Sequence, residues 1–89
     1  MRFEWDERKR AANLAKHGLD FRLAILVFDG GYILEPARPV GDELREKAIG
    51  MVLGRMVAVI LTRREGAVRV ISMRRARENE RRAYQAIYG

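Results

Sequence analysis

The amino-acid sequence predicts one α+β domain over residues 1–89, and three observations lead there. The chain is short enough for one modest core. Stretches rich in Val, Ile and Leu between Arg45 and Met73 are separated by glycine-containing turns, as in an antiparallel meander. Helix-forming segments with start and stop signals lie on both sides of that meander.

The elements follow in order. Phe3-Glu4-Trp5 alternates apolar, polar and apolar, which predicts a short strand. Asp6 is a good N-cap for a helix over 7–17, with Ala11, Leu14 and Ala15 on its inner face and Gly18 as its stop. Asp20 caps a second helix over 21–28, with Leu19 placed to staple against Ala24, and Gly30-Gly31 breaks it. That segment is apolar almost all round and also fits a buried strand; the cap and the preceding Gly18 favour helix. Tyr32 to Glu35 reads as a strand ended by Pro36, and Ala37 to Leu44 as a loop. Three strands come next: Arg45–Leu53, Met56–Arg63 and Ala67–Met73. Gly54-Arg55 suits a type II′ connection with glycine first, and Arg64-Glu65-Gly66 supplies the next turn. Ala76 to Tyr88 holds good helix formers without Pro or Gly and closes the chain as a helix, with Ala76, Ala83 and Ile87 inward. The order is β-α-α-β-β-β-β-α.

Composition excludes several classes. No apolar run approaches the roughly 20 residues of a membrane span, and the opening Met1-Arg2-Phe3-Glu4-Trp5-Asp6 is unlike a signal peptide, so a cytoplasmic protein without a membrane role is expected. There is no cysteine, which removes disulfides and thiol catalysis, and a single histidine (His17) argues against a transition-metal site or any cofactor built on one. Charge is uneven. Residues 1–44 carry seven Lys/Arg against eight Asp/Glu, and residues 45–89 carry eleven against four, giving −1 and +7 for the net +6. Fifteen of the eighteen basic residues are arginine, whose planar fork suits bidentate contact with phosphate. Such a half points to a polyanion partner or, more plainly, to a cationic solvent-facing surface.

The densest polar cluster starts with Arg63, Arg64, Arg69 and Ser72 and continues through Arg74, Arg75, Arg77, Glu80, Arg81, Arg82 and Tyr84. Strand alternation puts Val68, Val70, Ser72 and Arg74 on one face, with Arg69, Ile71 and Met73 on the other. Helical periodicity puts Glu80 and Tyr84 on one flank of the last helix, followed by Arg77 and Arg81. Guanidiniums, a carboxylate, a hydroxyl and a phenol would then share one shallow groove. Those are the parts of metal-free RNA cleavage. A base (Glu80 or Tyr84) takes the 2′-hydroxyl proton, arginines stabilise the phosphoryl oxygens, and Tyr84, Arg74 or His17 returns a proton to the leaving 5′-oxygen. The plainer reading of the same residues is a helix surface laced with exposed ion pairs. His17, in the last turn of the first helix, fits a structural role at the negative end of the helix dipole, with proton transfer as the other option.

The residues also resemble a known family. Phe3-Glu4-Trp5-Asp6, Asn13, Lys16-His17-Gly18, Phe21, Ala24 and Val27-Phe28 are similar to the opening of the BrnT toxins. The later match runs through Glu43-x-Arg45, Ile49-Gly50, Gly54-Arg55 and Thr62-x-Arg64, then Arg69-Val70-Ile71-Ser72-x-Arg74-Arg75-Ala76, Glu80-Arg81 and Tyr84. The resemblance implies a RelE-like fold with two N-terminal helices, a four-stranded mainly antiparallel sheet and a C-terminal helix. It implies a type II toxin that degrades RNA without a metal and arrests growth. Its partner would be a ribbon-helix-helix antitoxin; the two would form a hetero-oligomer that represses its own operon and contacts DNA only through the antitoxin. The family's candidate positions fall on His17, Arg45, Arg64, Ser72, Arg74, Glu80 and Tyr84; from the basic cluster itself, Arg63, Arg69, Arg75, Arg77 and Arg81 are expected as further RNA contacts. Many members carry a His-Ser pair ahead of the Glu-x-Arg, where this chain has Pro39-Val40. If that histidine moves a proton, this chain lacks it; if it shapes the loop, no chemistry is lost. The competing function is a non-catalytic basic module that binds nucleic acid or an acidic partner in transcriptional repression.

Overall fold

A computed structural model describes all 89 residues. Its strands are β1 (Arg2–Trp5), β2 (Tyr32–Val40), β3 (Glu43–Val52), β4 (Arg55–Arg64) and β5 (Ala67–Arg75). Its helices are α1 (Glu7–His17), α2 (Ala24–Asp29, entered through a 3-10 turn at Phe21–Leu23) and α3 (Glu78–Tyr88). The strands form one sheet in the order β1-β5-β4-β3-β2. β2 to β5 are an antiparallel meander, whereas β1 runs parallel to β5 from Arg2↔Ala67 to Trp5↔Val70. The α+β class holds, and the four-stranded sheet implied by the resemblance becomes a five-stranded mixed one, because the Phe3–Trp5 strand occupies the outer edge of β5.

One sheet face carries the main core. Ala48, Val52, Val57, Val59, Leu61, Val68, Val70 and Met73 bury against Leu19, Phe21, Ala24 and Val27. At about 1.5–3 kcal/mol for each fully buried Val, Leu or Phe, this side dominates stability. The opposite face has a smaller cluster of Ile49, Met56 and Ala58, packed by Ile33, Ala76 and Tyr84.

Asp6 caps α1 as expected, accepting from the Arg8 and Lys9 amides. The inner face of α1 differs. Ala11, Leu14 and Ala15 are exposed and Asn13 is the buried residue. Its Nδ2 donates to the carbonyls of Met73 (2.8 Å) and Leu19 (3.1 Å), and its Oδ1 accepts from the Met73 amide (3.1 Å). β1 ends opposite Val70, so this amide takes the place of a strand on the next stretch of β5 and sets the rotation of the helix. α3 begins at Glu78, two residues later than expected, and Ile87 is exposed instead of inward.

Three further expectations change. The Ala37–Leu44 loop is the end of β2, a two-residue connection at Gly41-Asp42 and the start of β3. Pro36 does not end β2, because an edge strand's outward side needs no N–H partner, and Pro39 falls in the register shift between Ala37 and Val40. The β3–β4 and β4–β5 connections are Leu53-Gly54 and Glu65-Gly66, each with φ 49° then 80°. These are type I′ turns with a non-glycine residue first, not the type II′ turn at Gly54-Arg55. Finally, Ile60 pairs with Ser72 but Leu61 with Val70, so Ile71 is the extra residue of a β-bulge. The bulge reverses the alternation. Ser72 and Arg74 therefore lie on the face opposite Val68 and Val70.

Candidate functional site

Cross-strand neighbours share a face, so the register builds the site directly. Glu35, Lys47, Ile60 and Ser72 form one row across β2, β3, β4 and β5, and Ile33, Ile49, Ala58 and Arg74 form the next. Where these rows meet the start of α3 there is an open cleft of about 400 Å³. Its polar wall is Arg38, Arg45, Lys47, Ser72, Arg74 and Arg77, over Pro36, Ala37 and Ile60. Five of those side chains are cationic, and no carboxylate lines the cleft.

The compensating charge sits behind them. Glu80 is 1% exposed. It accepts from Arg74 Nη1 (2.7 Å) and Nη2 (2.8 Å), from the Arg77 amide (2.8 Å), and pairs with Lys47 Nζ at 2.8 Å. The sequence arranges this locally: Arg77 is the N-cap residue of α3 and Glu80 stands at the third helical position, where a carboxylate returns to the N-cap amide and suits the helix dipole. The bidentate guanidinium of Arg74 above all, with the Arg77 amide and Lys47, holds the Glu80 carboxyl far below the usual carboxylate range. Glu80 in turn raises Arg74. A carboxylate so placed orients two cations and is a poor proton acceptor near neutrality.

The remaining sequence-predicted residues scatter. Arg45 is in the cleft and pairs with Glu43 at 2.9 Å. Arg63 pairs with Glu46 at 2.6 Å, and with Arg64 it lines a separate depression of about 590 Å³ shared with Asp42 and Glu43. Arg69 is held by Glu4 at 2.7 Å. Arg75 is exposed and pairs in register with Val57, on the face away from Arg74. Arg81 is half-buried on α3 and does not line the cleft. Arg82 makes the exposed helix pair, to Glu78, that the plainer reading expected. Tyr84 packs on the Ile49–Met56–Ala58 cluster with its ring 4.9 Å from that of Tyr88, and it too lies outside the lining. His17 is exposed at the end of α1, in a hollow of about 320 Å³ whose wall includes Ser72.

Two cleft residues escaped the sequence reading. Lys47 is two residues after Arg45 and so on its face, a signal available once β3 is recognised. Arg38 was hidden by reading 37–44 as a loop. Pro39 and Val40 are exposed at the end of β2, next to Arg38. No group of three His, Cys, Asp or Glu side chains is placed to hold a metal ion. No helix is long and apolar enough to cross a membrane.

A family model described as "Ribonuclease toxin, BrnT, of type II toxin-antitoxin system" matches residues 5–80. That span includes β1's last residue, both N-terminal helices, the meander and Glu80. No curated protein matches the chain.

Proposed function

The chain belongs to the BrnT family of ribonuclease toxins of type II toxin–antitoxin systems, and we propose that it cleaves RNA at the cleft around Ser72, Arg74 and Arg77 without a metal ion. One observation supports this above the others: five cations surround a cleft that no carboxylate enters, and buried Glu80 fixes two of them. Donors held in place stabilise charge that develops on phosphoryl oxygens without reorganising during the reaction. The 2′-oxygen attacks phosphorus as it loses its proton, the bond to the 5′-oxygen breaks, and that oxygen takes up a proton. The products are a 2′,3′-cyclic phosphate and a 5′-hydroxyl. Arg74, Arg77, Arg45 and Lys47 receive the phosphate charge, and Ser72 donates or accepts beside it.

Glu80 acts as a positioning residue. The proton-transfer role then falls to His17, across Ser72, or to Tyr84, on the flank of α3; histidine is the side chain that ordinarily titrates nearest neutrality. Arg63, Arg64, Arg69, Arg75 and Arg81 stand outside the reaction centre in this reading. The partner is a ribbon-helix-helix antitoxin that covers the basic face and alone contacts DNA. We also read the fold as RelE-like, on the strength of the β2–β5 meander between N-terminal helices and a C-terminal helix, with β1 as an addition.

Purified protein incubated with RNA in EDTA tests the reading. Cleavage to cyclic-phosphate ends is expected, with DNA and 2′-O-methyl RNA left intact. Loss of cleavage in EDTA, restored by magnesium, would overturn metal independence. RNA shifted on a gel but intact under every condition would favour the non-catalytic binding module.

A further inference from the structure

Ser72 lines two cavities, the five-cation cleft and the hollow at the end of α1. The hollow's wall adds Lys9, Lys16 and His17 to Ser72 and, like the cleft, contains no Asp or Glu. The two together have fifteen lining residues and no acid, in a chain with twelve acidic residues among 89. Two other depressions differ: one mixes Arg63 and Arg64 with Asp42, Glu43 and Glu46, and the other, which shares Pro36, Ala37 and Arg45 with the cleft, contains Glu35 and Glu46. Neither Lys9 nor Lys16 has a carboxylate partner, whereas Arg10 and Arg22 on the neighbouring surface are paired with Asp20. The local fold explains the juncture. Asn13 clamps α1 to Met73, and the bulge at Ile71 turns Ser72 toward the cleft.

We propose that the α1 hollow is a second backbone-phosphate subsite, in which Lys9 and Lys16 hold the RNA strand on one side of the cleft. The inference rests on reading the cleft as the site of the scissile phosphate. Single-stranded nucleic acid is tracked by positive grooves of this kind, through phosphate contacts that carry little sequence information. A strand long enough to span both cavities engages Lys9 and Lys16, whereas a dinucleotide fills the cleft alone. Lys9 and Lys16 therefore contribute to binding and not to the chemical step.

The test is the binding of a labelled 2′-O-methyl RNA 12-mer, which the reaction cannot consume, across a salt series. The Lys9→Ala/Lys16→Ala double variant should bind roughly ten-fold more weakly at low salt. Its log–log salt slope should be shallower by roughly 1.4, at about 0.7 for each lost contact to a single strand. Arg8→Ala, on the same helix but outside the hollow, should leave that slope near the parent value. Cleavage of a dinucleotide in EDTA should be unchanged in the double variant, and cleavage of a longer RNA should show a raised KM at constant kcat. Unchanged affinity and slope overturn the subsite even if the parent cleaves RNA; if the same variant then loses affinity for the antitoxin, the hollow is a protein-binding face. If the parent cleaves nothing while affinity and slope fall as stated, the cleavage reading fails and the subsite stands.

Discussion

The guanidinium of Arg74 grips the carboxylate of Glu80 through two hydrogen bonds, 2.7 and 2.8 Å long, tying the end of β5 to the first turn of α3. Lys47 of β3 reaches the same carboxylate, so one acidic side chain joins three elements. Removing the acid leaves two largely buried cations facing each other. Breaking a buried pair by removing one partner costs about 3–5 kcal/mol. Glu80→Gln, which keeps the volume, should sit near about 3 because Arg74 and Lys47 retain some solvent. Urea unfolding measures it, with Glu78→Gln as the control, since that exposed pair to Arg82 is expected to contribute nothing measurable. Equal losses in the two variants would refute the idea of a central Glu80.

The same pair fixes the sign of the pH dependence. Glu80's folded pKa is depressed below its unfolded value. Its contribution is fully present above the ordinary glutamate value of about 4.3 and is lost as pH falls below it. Stability should stay level between neutrality and about pH 5, then decline in acid. Asp6, Glu7 and Asp20 are depressed as well and share the decline. Glu80→Gln should therefore flatten it by up to one proton's worth, roughly 1.4 kcal/mol per pH unit, without abolishing it. Parallel curves for parent and variant would show that this carboxyl titrates normally.

Asn13→Ala should be among the most damaging changes on α1, although the residue carries no charge and lies outside the five-cation cleft, at the wall of the α1 hollow. It would leave the amide and carbonyl of Met73 without their partner in a buried place. Each such orphan costs about 1–3 kcal/mol, so a loss of at least about 2 is expected. Hydrogen exchange at the Met73 amide should accelerate more than that at Val59, which lies in the sheet interior. Uniform acceleration would mean that Asn13 supports global stability only.

Much of this was legible before folding, and the failures have specific causes. Asp6 and Gly18 marked α1 correctly because caps act through local backbone hydrogen bonds. The rotation of α1 was not legible, since its anchor is Asn13 bonding a strand sixty residues away. Ser72 and Arg74 were recognised as one pair, but on the wrong sheet face. A bulge at Ile71 leaves no mark in the composition of Ile71-Ser72-Met73. The arginine-rich run 63–82 read as one site, yet Arg63, Arg69 and Arg82 are tied to Glu46, Glu4 and Glu78. The partners of Arg63 and Arg69 lie on β3 and β1, where only the register reveals them, whereas Arg82 and Glu78 form the i,i+4 helix pair that the plainer reading expected. Arg45, a candidate only through the resemblance at Glu43-x-Arg45, does line the cleft, because β3 starts at Glu43 and carries it there.

Activity and stability should separate within the cleft. Arg77 is exposed and contributes its backbone amide, not its side chain, to Glu80. Arg77→Ala should therefore slow RNA cleavage by about 10²–10³, as for the loss of one fixed donor to a developing oxyanion, and leave the melting temperature near that of the parent. Arg74→Ala should slow cleavage as strongly but also destabilise, because it strips Glu80 of its bidentate partner. Tyr84→Phe keeps the packing on Ile49 and Met56, so a rate loss there would assign the phenol to proton transfer. Full activity in Tyr84→Phe, with a fall in His17→Gln, would assign that role to the histidine.

The two type I′ turns offer a change expected to stabilise. Leu53 and Glu65 both hold φ at 49°, a left-handed conformation that costs most non-glycine residues about 1 kcal/mol and asparagine less. Glu65→Asn touches no core and should gain about 0.5–1 kcal/mol from the backbone alone. Leu53→Asn has the same backbone benefit but also removes a side chain that, although 79% exposed, lines a hollow with Leu19 and Leu23. Its gain should be smaller, and the difference between the two variants measures what Leu53 contributes by packing on that hollow. Urea midpoints at unchanged m give both numbers. If Glu65→Asn fails to raise the midpoint, the left-handed turn is not strained. If it raises the midpoint while Leu53→Asn lowers it, packing on Leu19 and Leu23 outweighs the strain, which would explain why an exposed leucine occupies a position that favours asparagine.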